Sequence, residues 1–203
     1  MAVVPNNHFY HCIVSEIEAS LSTIHAVLQE CTAQIEETGL YLASTLASGA
    51  KIMLCGNGGS AADAQHIAAE LVIRYRSSVH RRAFPALALT VDPSILTAGA
   101  NDLGYENVFA RQVEAYGRAG DTLVCISTTG NSPSVVHAAQ TAQNRGIRVI
   151  GLLGAGGGTV RPLCDKAVVV PSDITARIQE AHTLVGHIWC TLIEETLLPE
   201  LFA

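Results

Sequence analysis

Ile52-Met53-Leu54-Cys55-Gly56-Asn57-Gly58-Gly59-Ser60-Ala61 is an apolar run of strand length, a turn built from glycine, and the opening of a helix that reads on to about Tyr75. The same order recurs downstream. Ala86-Leu87-Ala88-Leu89-Thr90-Val91 reads as a strand, followed by one or two helices over 93–117. Thr122-Leu123-Val124-Cys125-Ile126 is a strand that runs into Ser127-Thr128-Thr129-Gly130-Asn131-Ser132 and a helix to Arg145. Arg148-Val149-Ile150-Gly151-Leu152-Leu153 ends in a glycine-rich loop, Ala167-Val168-Val169-Val170 is the last strand, and a long helix spans 175–198. Short apolar runs without polar alternation, separated by helices, are parallel strands covered on both faces. The pattern predicts an α/β protein: a three-layer αβα sandwich around a five-stranded, parallel, doubly wound sheet. Ligands of such sheets sit beyond the carboxyl ends of the strands, so the loops at 56–60 and 127–132 are where function is sought.

Outward toward the N-terminus, Phe9, Ile13, Ile17, Leu21, Ile24, Leu28, Cys31 and Ile35 recur every three or four residues. That spacing predicts one amphipathic helix over 9–35, with a second short helix through Leu42 and Leu46 that stops at Gly49. The bland reading of the stripe is packing; the functional one is an oligomer arm. The chain thus divides into a helical arm, 1–48, and the α/β domain, 49–203, within one structural unit.

Composition narrows the function. Apolar residues make up 49% and charged residues only 15% of 203, too apolar for a disordered chain. So sparse a charged surface suggests that copies of the chain cover one another. The net charge of −6 and an aromatic share of 5% argue against nucleic acid as a partner. Six cysteines without metal-binding or redox spacing fit a reducing compartment. Met1-Ala2-Val3-Val4-Pro5 lacks a secretory pattern and no uncharged stretch reaches membrane-spanning length, so a cytoplasmic protein without membrane contact is expected.

Gly56-Asn57-Gly58-Gly59-Ser60-Ala61 matches the dinucleotide fingerprint in letters, but its acidic partner, Asp92, lies too far along the chain. The residues fit better as a turn requiring positive φ whose amides and Ser60 hydroxyl face a polar ligand at a helix N-terminus. In 127–132, capping accounts for one hydroxyl, with Ser132 or Asn131 at the N-cap and Pro133 behind it. Four hydroxyls exceed that need, and with the helix dipole they make a phosphate cradle that uses no lysine. No Gly-Lys-Ser/Thr follows, which disfavours nucleotide triphosphate hydrolysis. His66 and Glu70 are four apart on the first domain helix, hence on one face, as an ordinary helical pair or as two ligands of one metal. On the last helix Arg177, Gln179, Glu180, His182 and His187 interrupt an apolar sequence and need partners if buried. Gln179 and His187 stand roughly 12 Å apart along the axis, which is awkward for a shared metal. The basic stretch holding Arg74, Arg76, Arg81 and Arg82 reads as a solvated loop, with Arg74 placed to face the site. Gly154 to Gly158 reads as a flexible connection.

Together, Cys55-Gly-Asn-Gly-Gly-Ser60, Asp63-Ala-Gln-His66 with Glu70, Ala100-Asn101-Asp102, the 127–132 loop, and Arg177-Ile-Gln-Glu180 with His187 resemble the bacterial phosphoheptose isomerase (sedoheptulose-7-phosphate isomerase) family, of the sugar isomerase (SIS) fold. The resemblance runs from about residue 40 to 198. It implies conversion of D-sedoheptulose 7-phosphate to D-glycero-D-manno-heptose 7-phosphate, toward lipopolysaccharide heptose, by a cytoplasmic homotetramer with sites at subunit interfaces. By resemblance His66, Glu70, Gln179 and His187 would hold one Zn²⁺ per subunit, with Glu70 and His187 also the catalytic acid–base pair. Asn57, Gly58, Gly59, Ser60, Arg74, Asn101, Asp102, Ser127, Thr128, Thr129, Ser132 and Gln179 would bind substrate. Two departures stand out. Ser-Thr-Thr replaces the family's common Ser-Thr-Ser at no loss of hydroxyl, and Ala176 stands where some members carry an acid.

The chemistry suits these residues. Ketose–aldose isomerisation needs a carboxylate-type base at the carbon and a second group to move a proton between oxygens. It also needs a device to stabilise the enediolate. If Glu70 ligates metal, either it is released during turnover or the metal activates the proton transfer. The competing class is a non-catalytic tetrameric scaffold of the same fold that binds the replication initiator protein. Those relatives lack the acid at position 70 and the histidine at position 187, both present here.

Overall fold

The computed structural model describes residues 7–202; the Met1-to-Pro5 segment read for a leader lies outside them. Five strands form one sheet: β1 (Ile52–Cys55), β2 (Ala86–Ala88), β3 (Thr122–Ser127), β4 (Arg148–Leu153) and β5 (Lys166–Val169). Their order is β2-β1-β3-β4-β5, and every pairing is parallel. Chain order reverses between β1 and β3, whose register sets Cys55 beside Cys125. The crevice of a doubly wound sheet opens at that switch point, and both candidate loops leave from it.

Successive side chains of a strand face opposite ways, and the core divides accordingly. Ile52, Leu54, Val124, Ile126, Ile150 and Leu152 pack beneath α2 (Thr32–Ala47), α3 (Gly59–Val72) and α7 (Thr175–Leu197). Met53, Cys55, Leu123, Cys125, Val149 and Leu153 pack beneath α5 (Val108–Tyr116) and α6 (Pro133–Asn144). This is the expected three-layer sandwich. Between β2 and α5, α4 (Pro93–Leu103) starts where the Asp92 carboxylate accepts the Ile95 amide at 3.0 Å, with Pro93 behind it.

Two boundaries differ from the sequence reading. The first helix does not run through 35. It divides at Cys31 into α1 (Asn7–Glu30) and α2. The Cys31 thiol turns to the Val169 carbonyl, 3.4 Å away, tying the bend to β5. α2 then belongs to the core: Trp189 Nε1 donates to Thr38 Oγ1 at 2.9 Å, and Gly39 lets α7 approach so closely that a Cβ there would sit 2.6 Å from Leu192. β2 is only three residues long, because Leu89 makes a last bond to Leu54 before the chain turns into α4. α1 behaves differently from α2. Phe9, Ile13, Ile17, Leu21 and Leu28 are each more than half exposed, so the predicted stripe is open in the single chain.

Candidate active site

The β1–α3 turn is dictated by contact. A Cβ on Gly56 would lie 2.8 Å from the Ser60 carbonyl and 2.9 Å from that of Ile126. Gly58 has φ of 55° and ψ of −121°, open only to glycine. The Ser60 amide closes onto Asn57 O and those of Ala61 and Ala62 onto Gly58 O, so these three do not serve a ligand as expected. Gly59 carries the Gln179 carboxamide directly against it: a Cβ would stand 2.4 Å from Gln179 Nε2. Asn57 is held on both sides, donating through Nδ2 to Ser134 Oγ at 3.0 Å and accepting at Oδ1 from Tyr105 Oη at 2.7 Å. Neither Tyr105 nor Ser134 figured in the sequence reading. A lone tyrosine after a glycine carries no signal of what it will meet.

The 127–132 loop uses its hydroxyls unexpectedly. Ser127 Oγ accepts the Gly130 amide at 3.0 Å and Thr129 Oγ1 accepts that of Asn131 at 3.2 Å, so two hydroxyls hold the loop shut. Ser132 occupies the N-cap of α6, yet its hydroxyl caps no amide and stays available. Gly154 to Gly158 is not a flexible connection; it is the wall behind this loop. A Cβ on Gly130, where φ is 64°, would come within 1.9 Å of the Gly157 carbonyl. The Thr159 amide and hydroxyl bond Asn131 Oδ1 and Gly130 O at 3.0 and 3.2 Å.

α3 and α7 bring the charged candidates together. His66 Nε2 is 2.7 Å from His187 Nε2 and 3.8 Å from Glu70 Oε1. At that separation one ring donates and the other accepts, so the two cannot both carry a proton at Nε2. Tyr75 lies against the His187 ring, centroids 5.5 Å apart. Toward the start of both helices, Asp63 accepts from Thr183 Oγ1 at 2.8 Å, and burial pushes its carboxyl above the usual range against the opposing pull of Thr183 and His66. Asp63 shares a cleft with Gly59, Gln179, Glu180 and Thr183.

Other predicted residues stand elsewhere. Gln179 joins the glycine turn and not the His66–Glu70–His187 group. Asn101 and Asp102 lie exposed on α4, bonded to each other at 2.7 Å. Arg74 is exposed and donates to Ser77 O at 3.2 Å. The side chain of Arg81, read as solvated, is buried. Its Nε pairs with Glu194 at 2.8 Å, both side chains wholly inaccessible, and its other nitrogens reach the Glu70, Leu71 and Arg82 carbonyls. Arg177 is also buried; it bonds Glu16 on α1 and Glu180 on its own helix.

The donor chemistry of His66, Glu70 and His187 suits zinc in kind, with two imidazoles and a carboxylate. Among the described residues, no three His, Cys, Asp or Glu side chains stand in a closed metal-ligand set. To share an ion the facing rings must part slightly, since tetrahedral zinc ligands sit about 3.3 Å from each other.

Comparison with known proteins identifies the family and the fold. The SIS domain model matches residues 17–154. A phosphoheptose isomerase of Roseiflexus sp. is 48% identical over 97% of this chain and 98% of its own length. The chain belongs to the phosphoheptose isomerase family. Another phosphoheptose isomerase, from Chlorobaculum parvum, is 58% identical over 77% of this chain and 75% of its own. Among solved structures, the phosphoheptose isomerase of Neisseria gonorrhoeae superposes with a TM-score of 0.86 at 38% identity, over 92% of this chain and 99% of that one. That of Francisella tularensis gives 0.88 at 33% identity, over 92% and 98%. As a phosphoheptose isomerase the chain is a sugar-phosphate aldose–ketose isomerase of the SIS fold. No helix among the described residues is long and apolar enough to cross a membrane.

Proposed function

We propose that this isomerase interconverts D-sedoheptulose 7-phosphate and D-glycero-D-manno-heptose 7-phosphate, supplying heptose for lipopolysaccharide, with Glu70 and His187 as its acid–base pair. The observation that carries the assignment of roles is the convergence of Glu70 and His187 about His66, on two helices far apart in sequence. α3 begins at the glycine turn, and His66 lies seven residues on, roughly 10 Å along the axis. An extended sugar phosphate can therefore reach from the glycine turn to the acid–base group.

In this reading Ser127, Thr128, Thr129 and Ser132 hold the phosphate and fix the reacting end. Asn57, Ser60 and Gln179 bind hydroxyls along the chain, and Arg74, Asn101 and Asp102 complete the substrate contacts. The Glu70 carboxylate takes the proton from one carbon and returns it to its neighbour. His187, one half of a pair with a single shared proton, moves a proton between the two oxygens. Zinc held by His66, Glu70 and His187 would stabilise the negative charge that develops on those oxygens. Gln179 lies against Gly59 and serves the substrate in this scheme. The open apolar face of α1 supports a homotetramer, and the exposure of His66 supports sites completed at subunit contacts. A cytoplasmic location accords with free cysteines throughout the described chain.

The deciding experiment is incubation of the purified protein with sedoheptulose 7-phosphate, followed by proton NMR. An aldoheptose phosphate is expected to accumulate to equilibrium; its absence overturns the activity. Zinc-free yet fully active protein, prepared without chelators, would remove the metal, and a monomer in light scattering would remove the tetramer.

A further inference from the structure

We infer that Tyr105 is a positioning residue of the isomerase site, setting the orientation of the Asn57 carboxamide toward the sugar. The inference rests on the substrate-binding role proposed for Asn57. An unrestrained asparagine can rotate its amide and present either a donor or an acceptor to a hydroxyl. Here both choices are already made. Tyr105 Oη donates to Oδ1 at 2.7 Å, and Nδ2 donates to Ser134 Oγ at 3.0 Å. One N–H and one lone pair of the amide remain for a ligand, in fixed directions. A bare Asn57–Ser134 contact leaves a flipped amide open, because a serine hydroxyl both donates and accepts. A phenol can also do both, but it is more acidic than serine and so the better donor and poorer acceptor, and its place beside Oδ1 favours the acceptor side there.

The phenol is itself held in place. Tyr105 sits in the short 3-10 turn Tyr105–Asn107 between α4 and α5. Gly104 enters that turn at φ of 83°. At its far end Asn107 faces His137 Nδ1 on α6 at 3.1 Å and donates to Leu103 O at 2.7 Å. The Tyr105 ring lies edge-on to the buried Phe109, centroids 6.4 Å apart. Tyr105 nevertheless remains 49% exposed, so its hydroxyl is at the open rim of the crevice and not within the core.

Tyr105→Phe keeps the ring on Phe109 and removes only the bond. With sedoheptulose 7-phosphate as substrate, KM is expected to rise about five- to tenfold. The value of kcat should hold within about twofold, because the proton-transferring groups stand on other helices. In an Asn57→Ala background the same change should have no further effect on KM, since there is no amide left to orient. Unchanged KM in the single variant, or a full additional rise in the double variant, overturns the inference. A wild-type protein that does not isomerise this substrate overturns the parent reading instead, so the two failures are distinguishable.

Discussion

In the proposed mechanism Glu70 carries the largest burden of any single residue. Its side chain is 23% exposed and its carboxylate stands 3.8 Å from His66, shielded enough for charge to matter and open enough for a substrate to reach. Glu70→Gln keeps size and helix propensity while removing the ability to accept a carbon-bound proton. Wash-in of solvent deuterium at the substrate carbon is expected to fall by at least about a hundredfold, with the circular dichroism spectrum unchanged. Undiminished exchange would take the base role away from this carboxylate. The pair His66 and Glu70 was legible because a spacing of four fixes one helical face. Its meeting with His187 is a tertiary fact that no spacing on α7 encodes. Tyr105 was illegible for the same reason: its partner is reached through a turn, and nothing local distinguishes it from any half-exposed tyrosine.

Elements were read well where one local force decides them. The glycine turns, the apolar strands and the proline-started helices all follow from backbone sterics and burial, and they appear as expected. The errors arose where a long-range partner overrides local character. Arg81 lies in a run rich in charge and reads as surface, yet the pocket formed by the Glu70 and Leu71 carbonyls and Glu194 receives it whole. Arg81 thereby ties the end of α3, which carries Glu70, to the distal part of α7, and Glu194 also accepts the Tyr75 amide at 3.4 Å. Arg81→Met removes one half of a wholly buried ion pair and leaves a carboxylate stranded. Urea unfolding is expected to show a loss of roughly 3–5 kcal/mol. A change below about 1 kcal/mol would mean that solvent reaches Glu194 and that the clamp is unimportant. Glycines 154–158 were misread in the same way, since their density suggests freedom while their close contact with Gly130 and Asn131 removes it.

The molecule as a whole should be sensitive to acid through His182. Its ring is fully buried, neither nitrogen has a well-aligned hydrogen-bond partner among the described residues, and burial pushes its pKa down to about 4 against the opposing pull of the Leu153 carbonyl. In the unfolded chain the ring titrates near 6.5. Between those values the unfolded state takes up a proton that the folded state refuses. Stability is therefore complete above about pH 6.5 and falls as the pH drops toward 4, by on the order of 3 kcal/mol. His182→Leu should flatten the dependence of unfolding free energy on pH across that window, whatever its effect at neutral pH; parallel curves for the two proteins would refute the assignment. The distribution of thiols has a practical outcome of another kind. Cys31, Cys55, Cys125 and Cys190 are buried, and burial pushes the half-covered Cys164 up to about 12, so it stays protonated and unreactive. Cys12, exposed on α1, is left as the natural attachment point for a maleimide dye. The arm can thus be labelled in the unaltered chain, and energy transfer between donor- and acceptor-tagged copies would report directly on whether the arms come together.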